Sequence, residues 1–310
     1  MKKIQKILIV GGTGFIGYHF TKKCLSKKFE VTSISRNRPK KIRRINKVKY
    51  IYCDIANKKK LNLKLNKYYD YVINLGGDVD HHGKNTFKSH FTGCKNLVEI
   101  LRKKKIKRFI QLSSSVEYGD ERSPNVEKKF KKKTKYLKSI YAKAKLSSTL
   151  FLLKLYKKAR FPVVIFRLFL AYGPKQDYNR IIPFTIKNCL ANKKFACSNG
   201  EQTRDFIFIN DLVEVLFKSL NKNYSIEGQI FNLGTGIPVK IKKIINFIKD
   251  KCKRGKPQFG LISLRKDEVK HFYANINKTK KIFKWKPRTK IENGLTETIK
   301  YYENCFKKKL

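Results

Sequence analysis

Tyr141 and Lys145 stand four residues apart in Ser139-Ile-Tyr-Ala-Lys-Ala-Lys145. On a helix that spacing places both side chains on one face. A phenol beside an ammonium is a poised acid, because the positive charge favours the phenolate and lowers a pKa otherwise near 10. Such a group suits proton exchange with a sugar hydroxyl or ketone. The same spacing also describes a surface lysine beside a half-buried tyrosine. With 16 tyrosines and 74 lysines plus arginines, chance supplies several such pairs. The pair becomes informative through what stands before it.

The apolar, β-branched run Lys6-Ile-Leu-Ile-Val10 reads as a strand. Gly11-Gly-Thr-Gly-Phe-Ile-Gly17 follows, then a helical pattern through Phe20, Cys24 and Leu25. Strand, glycine turn and helix in that order are what a dinucleotide site requires. Gly11 permits the sharp turn, Gly14 the approach of a pyrophosphate, and Gly17 close packing of helix on sheet. The anion rests on free N–H groups at the helix N-terminus. Lys2 and Lys3 before apolar residues imitate a signal peptide, but the glycines break the apolar region and no small-residue cleavage site follows.

A second strand is expected at about Glu30 to Ile34, ending in Ser33-Ile-Ser-Arg-Asn-Arg38. An NAD site usually places an acid here for the ribose 2′-OH. The chain instead offers Arg36 and Arg38, and a guanidinium matches a phosphate in geometry and charge. NADP is therefore favoured, with NAD possible. The plainer reading is a basic loop that continues as Pro39-Lys40-Lys41.

Further strands are expected at Lys49 to Tyr52, Tyr71 to Leu75, Arg108 to Leu112 and Val163 to Leu168. Helices are expected at Thr86 to Lys104 and Tyr136 to Lys158. This alternation predicts an α/β fold with a Rossmann-type, doubly wound parallel sheet. The rhythm weakens after about Tyr172, where Tyr172-Gly-Pro174 and Gly234-Thr-Gly236 mark turns. The expected division is a nucleotide-binding domain over 1–172, to which segments near 205–235 return. Residues 173–310 are expected to form mainly a smaller C-terminal α/β substrate lobe. Ligands of such sheets bind beyond the carboxyl ends of the strands. Leu75-Gly76-Gly77 leaves room there for a cofactor. Leu112-Ser113-Ser114-Ser115 presents hydroxyls that can bond the oxygen on which Tyr141 acts, although a serine-rich strand end also serves as a cap.

Of the 310 residues 41% are hydrophobic, ample for a core. Seven scattered cysteines show no C-x-x-C and no paired spacing with histidine, which argues for a reducing compartment and no metal site. The adjacent His81-His82 reads as a solvated loop. No run of 18 apolar residues predicts a membrane span. The net charge of +52 invites a non-catalytic nucleic-acid or membrane-surface binder. The lysines, however, run along the whole chain, and Lys with Ile, Asn, Phe and Tyr shares AT-rich codons. No specific nucleic-acid partner is expected. The cluster Lys128 to Lys135 reads as a solvated loop before the Tyr141 helix.

With these motifs in order, the chain resembles the extended short-chain dehydrogenase/reductase family, notably its nucleotide-sugar epimerases, dehydratases and reductases. Besides the glycine turn, Asp54 resembles the acid near the adenine, Ser114 the catalytic Ser/Thr, and Tyr141 with Lys145 the Tyr-x-x-x-Lys pair. Arg167-Leu-Phe-Leu-Ala-Tyr-Gly-Pro174, Thr203-Arg-Asp-Phe-Ile-Phe-Ile-Asn-Asp211, Phe231-Asn-Leu-Gly-Thr-Gly236 and Trp285-Lys-Pro287 resemble later landmarks. The resemblance implies a cytoplasmic enzyme in which Tyr141 is the acid/base and Ser114 polarises the reacting C–O group. Lys145 would bind the nicotinamide ribose and depress the Tyr141 pKa. Gly11, Gly14, Phe15, Ile16, Gly17, Arg36, Asp54, Ile55, Leu75, Gly76 and Gly77 would line the cofactor with Tyr141 and Lys145. Ser115 and Arg204 would meet a nucleotide-sugar substrate, Arg204 at its diphosphate. A homodimer through two helices per subunit is also implied.

Departures narrow the reaction. Dehydratases of the family carry Asp-Glu directly after the catalytic Ser/Thr; here Ser115 and Val116 stand there and Glu117 comes one residue late. Leu170 and His90 replace asparagines of the family pattern. The expectation is an NADPH-dependent 4-ketoreductase of a 4-keto-6-deoxy nucleotide sugar, with a nucleotide-sugar 4-epimerase as the alternative.

Overall fold

The computed structural model describes residues 4–77, 83, 85–128, 134–221, 225–264 and 268–307. The expectations on His81-His82 and on Lys129 to Lys133 lie outside them. The first part of the chain runs Lys6–Val10 (β1), Phe15–Ser26 (α1), Glu30–Ser35 (β2), Lys49–Tyr52 (β3), Lys58–Lys64 (α2), Tyr71–Asn74 (β4), Gly93–Leu101 (α3), Arg108–Ser114 (β5), Ile140–Ala159 (α4) and Val163–Leu168 (β6). Then come Leu170–Tyr172 (β7), Ile181–Leu190 (α5), Lys194–Ala196 (β8), Thr203–Phe208 (β9), Ile209–Lys218 (α6), Gln229–Leu233 (β10) and Pro238–Lys240 (β11). The chain closes with Ile241–Cys252 (α7), Lys256–Gln258 (β12), His271–Phe272 (β13), Asn277–Phe283 (α8) and Ile291–Lys307 (α9).

Seven strands form one parallel sheet in the order β10-β6-β5-β4-β1-β2-β3. The apolar runs of the inner strands are buried on both faces, as parallel strands require, while the edge strand β3 is largely exposed. In β1, Ile7 and Ile9 enter one core with Phe20 and Cys24 of α1 and Leu212 of α6. Leu8 and Val10 enter the other with Leu61 of α2, Leu97 of α3 and Leu152 of α4. The period of two thus winds helices onto both faces. From β1 the chain builds outward to β3, then returns to β4 on the other side of β1. The crevice beyond β1 and β4 is the switch point at which open α/β sheets bind ligands. A smaller sheet, β11-β9-β13 with β7 also on β9, stands beside that edge.

The stretch expected as a helix from Thr86 to Lys104 is helical throughout, though not uniformly: a π-turn at Lys88–Thr92 precedes α3 and a 3₁₀ turn at Arg102–Lys104 ends it. One helix starts later than expected. Helix α4 starts at Ile140, not Tyr136, because the Ser139 side chain accepts from the Ala142 N–H at 3.1 Å and caps it. Tyr141 therefore lies in the first turn of α4. All seven cysteines are free thiols, six of them buried. Among the described residues no group of three or more His, Cys, Asp or Glu gathers to hold a metal, and no helix is long and apolar enough to cross a membrane.

Candidate active site

A cavity of about 830 Å³ opens at the switch point and runs from the glycine turn to the smaller sheet. This is ample for a dinucleotide with part of a second ligand. Gly11 sits at φ +79°, and a Cβ there would lie 2.9 Å from the Gly76 Cα. A Cβ at Gly17 would lie 2.2 Å from the Gly11 carbonyl oxygen. The turn thus brings β1, β4 and the start of α1 closer together than any side chain allows, and leaves backbone N–H groups facing the cavity. These features fit a dinucleotide.

Gly11, Gly14, Phe15, Ile16, Gly17, Arg36, Asp54, Ile55, Leu75, Gly76 and Gly77 all line this one cavity. Ser114, Ser115, Tyr141, Lys145 and Arg204 line it too. Arg38 is not among the lining residues; its guanidinium lies over the Tyr52 ring, 5.7 Å from the centroid. Of the two arginines expected at the ribose phosphate, only Arg36 reaches the cavity wall. Asp54 accepts the Ala56 N–H at 2.9 Å, which fixes the loop after β3.

Ser114 is the last residue of β5, and its hydroxyl accepts the Val116 N–H at 3.4 Å. It caps the following 3₁₀ turn and faces the cavity at once. Burial raises the Tyr141 pKa, opposed by a hydrogen bond with Ser114 and by the charge of Arg180. The expected net lowering by Lys145 does not hold. The Lys145 ammonium is 5.7 Å from the Tyr141 ring centroid, and burial itself pushes Lys145 down to about 8. Desolvation outweighs the charge because both groups sit in the low-dielectric floor of the cleft.

His90, from the π-turn, meets Tyr141 edge to face with centroids 5.1 Å apart. Arg204 is ion-paired with Glu268, also a lining residue, so its guanidinium already faces a carboxylate. Two further cations on the wall were not singled out from the sequence, Lys138 and Arg180. Arg180 directly precedes α5, past the Gly173-Pro174 turn, and no spacing relates it to Tyr141. Leu170 lines the cavity and is 40% exposed.

Doubly wound sheet, glycine turn and a Ser, Tyr and Lys group on one wall define a nicotinamide-dinucleotide enzyme of the extended short-chain dehydrogenase/reductase type. The chain belongs to the NAD dependent epimerase/dehydratase family, whose model matches residues 7–234. It is 27% identical to an uncharacterized UDP-glucose epimerase of Bacillus subtilis, covering 97% of this chain and 99% of that one. The UDP-glucose 4-epimerase of Thermotoga maritima, solved with UDP-glucose, superposes with a TM-score of 0.90 at 21% identity, over 97% of this chain and all of that one. The UDP-glucuronic acid 4-epimerase of Bacillus cereus, solved with UDP-glucuronic acid and NAD, superposes with a TM-score of 0.85 at 25% identity, over the same shares.

Proposed function

We propose that the protein transfers hydride at C4 of a nucleotide sugar, in the direction of NADPH-dependent reduction of a 4-keto-6-deoxy sugar. The observation that carries this reading is the convergence of Ser114, Tyr141 and Lys145 on the wall of the cavity into which the glycine turn opens. When bound, the nicotinamide supplies the hydride. Ser114 Oγ donates to the C4 oxygen and holds it beside Tyr141. The Tyr141 hydroxyl delivers the proton, a role suited to a phenol that burial keeps protonated. Lys145 orients the ribose and stabilises the phenolate left behind. Arg204 exchanges Glu268 for the substrate diphosphate, and Ser115 bonds the sugar. Arg36, where an acid would mark NAD, meets the 2′-phosphate. Ser115 and Val116 offer no acid for elimination, so dehydration is disfavoured.

A second reading, nucleotide-sugar 4-epimerisation with tightly held NAD, is favoured by the names of the Bacillus subtilis, Thermotoga maritima and Bacillus cereus proteins. The deciding experiment reads the mass of cofactor released on denaturing purified protein, then follows NADPH absorbance with several 4-keto nucleotide sugars. NADPH loss supports the reductase. Copurified NAD with UDP-glucose and UDP-galactose interconversion overturns it. A homodimer fits Phe87 and Ile140, 39% and 40% exposed beside α3 and α4, and light scattering tests it.

A further inference from the structure

Glu117 lies in the 3₁₀ turn Ser115–Tyr118 that Ser114 caps, with its side chain fully buried. Its carboxylate takes hydrogen bonds from three elements. The Ser113 hydroxyl, adjacent to Ser114 on β5, donates to Oε1. Thr149 Oγ1, one turn past Lys145 on α4, donates to the same oxygen at 2.8 Å. Arg167 Nε, on β6, donates to Oε2 at 2.7 Å. The Arg167 guanidinium in turn lies 4.6 Å from the Tyr118 ring centroid, and the Tyr118 hydroxyl donates to Asn232 at 2.7 Å.

We propose that Glu117 is a positioning residue of the reaction: one carboxylate fixes the Ser114 end of β5 to the Tyr141 helix and sets a negative charge beneath Lys145. A buried ion pair adds little net stability over well-packed apolar residues, so stability alone does not account for it. Two of its bonds join the strand and the helix that carry the reacting hydroxyls, and the third holds the carboxylate to β6. A shift of either element by an ångström would separate Ser114 from Tyr141, and such misplacement costs catalysis heavily. The charge acts on both titrating groups. Burial lowers the Lys145 pKa and Glu117 opposes that fall. Burial raises the Tyr141 pKa, and Glu117 raises it further.

Other titratable and charged groups face this pair, among them the His90 imidazole, edge to face with Tyr141 at 5.1 Å. Cys94 of α3 faces Lys145 as a neutral thiol, pushed up to about 12 by burial. Arg167 and Tyr118 face Glu117, and Arg180 faces Tyr141. Removing the Glu117 charge therefore lowers the pKa of both the proton donor and the cation beside it.

The inference rests on the reading of Tyr141 as the proton carrier. The test follows wild-type and variant enzymes across pH, with NADPH and dTDP-4-keto-6-deoxyglucose or with UDP-glucose, whichever the wild type turns over. In Glu117→Gln the limb of kcat set by Tyr141, the high-pH limb for ketone reduction and the low-pH limb for UDP-glucose, where Tyr141 starts as the base, moves about one unit lower, with KM nearly unchanged. Glu117→Asp keeps the charge and restores the limb. Thr149→Val keeps the ion pair but loses one strut, so kcat falls while the limb stays. An unmoved limb in Glu117→Gln overturns the proposal, as does wild-type kcat in Thr149→Val, which also decides the matter if Glu117→Gln does not fold. An active Tyr141→Phe enzyme sinks the underlying reading instead.

Discussion

The Lys145 ammonium donates to the Leu112 carbonyl oxygen at 2.9 Å, tying the Tyr141 helix to the strand that ends in Ser114. The bond carries an electrostatic cost, because Lys145 is 5% exposed and burial pushes it from 10.5 to about 8. The folded protein thus holds fewer protons than the unfolded chain between those two values. The cost is fully present below the folded pKa and is relieved as pH rises toward the unfolded one. Replacing Lys145 with Met is expected to stabilise the cofactor-free protein near neutral pH by up to about 3 kcal/mol, less the lost bond to Leu112. It also removes the gain in stability on raising pH across that window. Urea unfolding of both proteins on either side of the window is the check. A parallel pH dependence in the two would refute it.

Proton transfer predicts a second outcome. Tyr141→Phe lowers kcat by about 10²- to 10⁴-fold with dinucleotide affinity nearly unchanged. Ser114→Ala lowers kcat less, because Tyr141 keeps its proton. Steady-state rates beside cofactor titrations separate the two effects. Lost cofactor binding in Tyr141→Phe would point to misfolding instead.

Of the two arginines that follow β2, only Arg36 lines the cavity, and the proposed NADP preference makes it the residue to vary. Arg36→Asp should weaken NADP⁺ relative to NAD⁺ by about tenfold or more, roughly 1.4 kcal/mol. Arg38→Asp should leave the ratio near wild type, since that side chain stacks on Tyr52. Calorimetric titration with both dinucleotides reads the ratio; equal responses of the two variants would argue against a phosphate site at Arg36.

The glycine turn yields a steric prediction. Gly17→Ala places a methyl 2.2 Å from the Gly11 carbonyl oxygen, a backbone atom that cannot swing away. The expected loss is about 2 kcal/mol or more of stability, with dinucleotide binding abolished. Thermal melts with and without cofactor test this, and a wild-type ligand shift would be incompatible with it.

Arg180 supplies a prediction about the substrate. Because Arg204 already faces Glu268, Arg180 gives the cavity positive charge near Tyr141. Arg180→Leu should raise KM for the nucleotide sugar about tenfold with a smaller change in kcat. An unaltered KM would exclude Arg180 from substrate binding.

Much of the frame is legible in the chain. The spans Lys6–Val10 and Val163–Leu168 are strands as their apolar runs predict. Parallel strands buried on both faces leave an unbroken apolar signature. The glycine turn is equally local, since its backbone geometry excludes other residues. Helix starts are less legible. A helix pattern continues backward from Tyr141 through Tyr136, and only the capping bond of Ser139 ends it. The helix expected from Thr86 to Lys104 does begin there, and what spacing did not show is that its second turn, Lys88–Thr92, is wound as a π-turn.

The site divides along the same line. The sequence by itself determined the residue types and their order: a glycine turn, a serine at a strand end, and a tyrosine with its lysine one helical turn later. Those features depend on neighbours within a few positions. Tertiary structure alone decided which charges meet. It set Glu117 against Arg167 on another strand, Glu268 against Arg204, and Arg38 against Tyr52. It also decided that burial, not the nearby ammonium, sets the state of Tyr141. Desolvation and long-range pairing depend on what surrounds a group in space, and spacing along the chain carries no record of that.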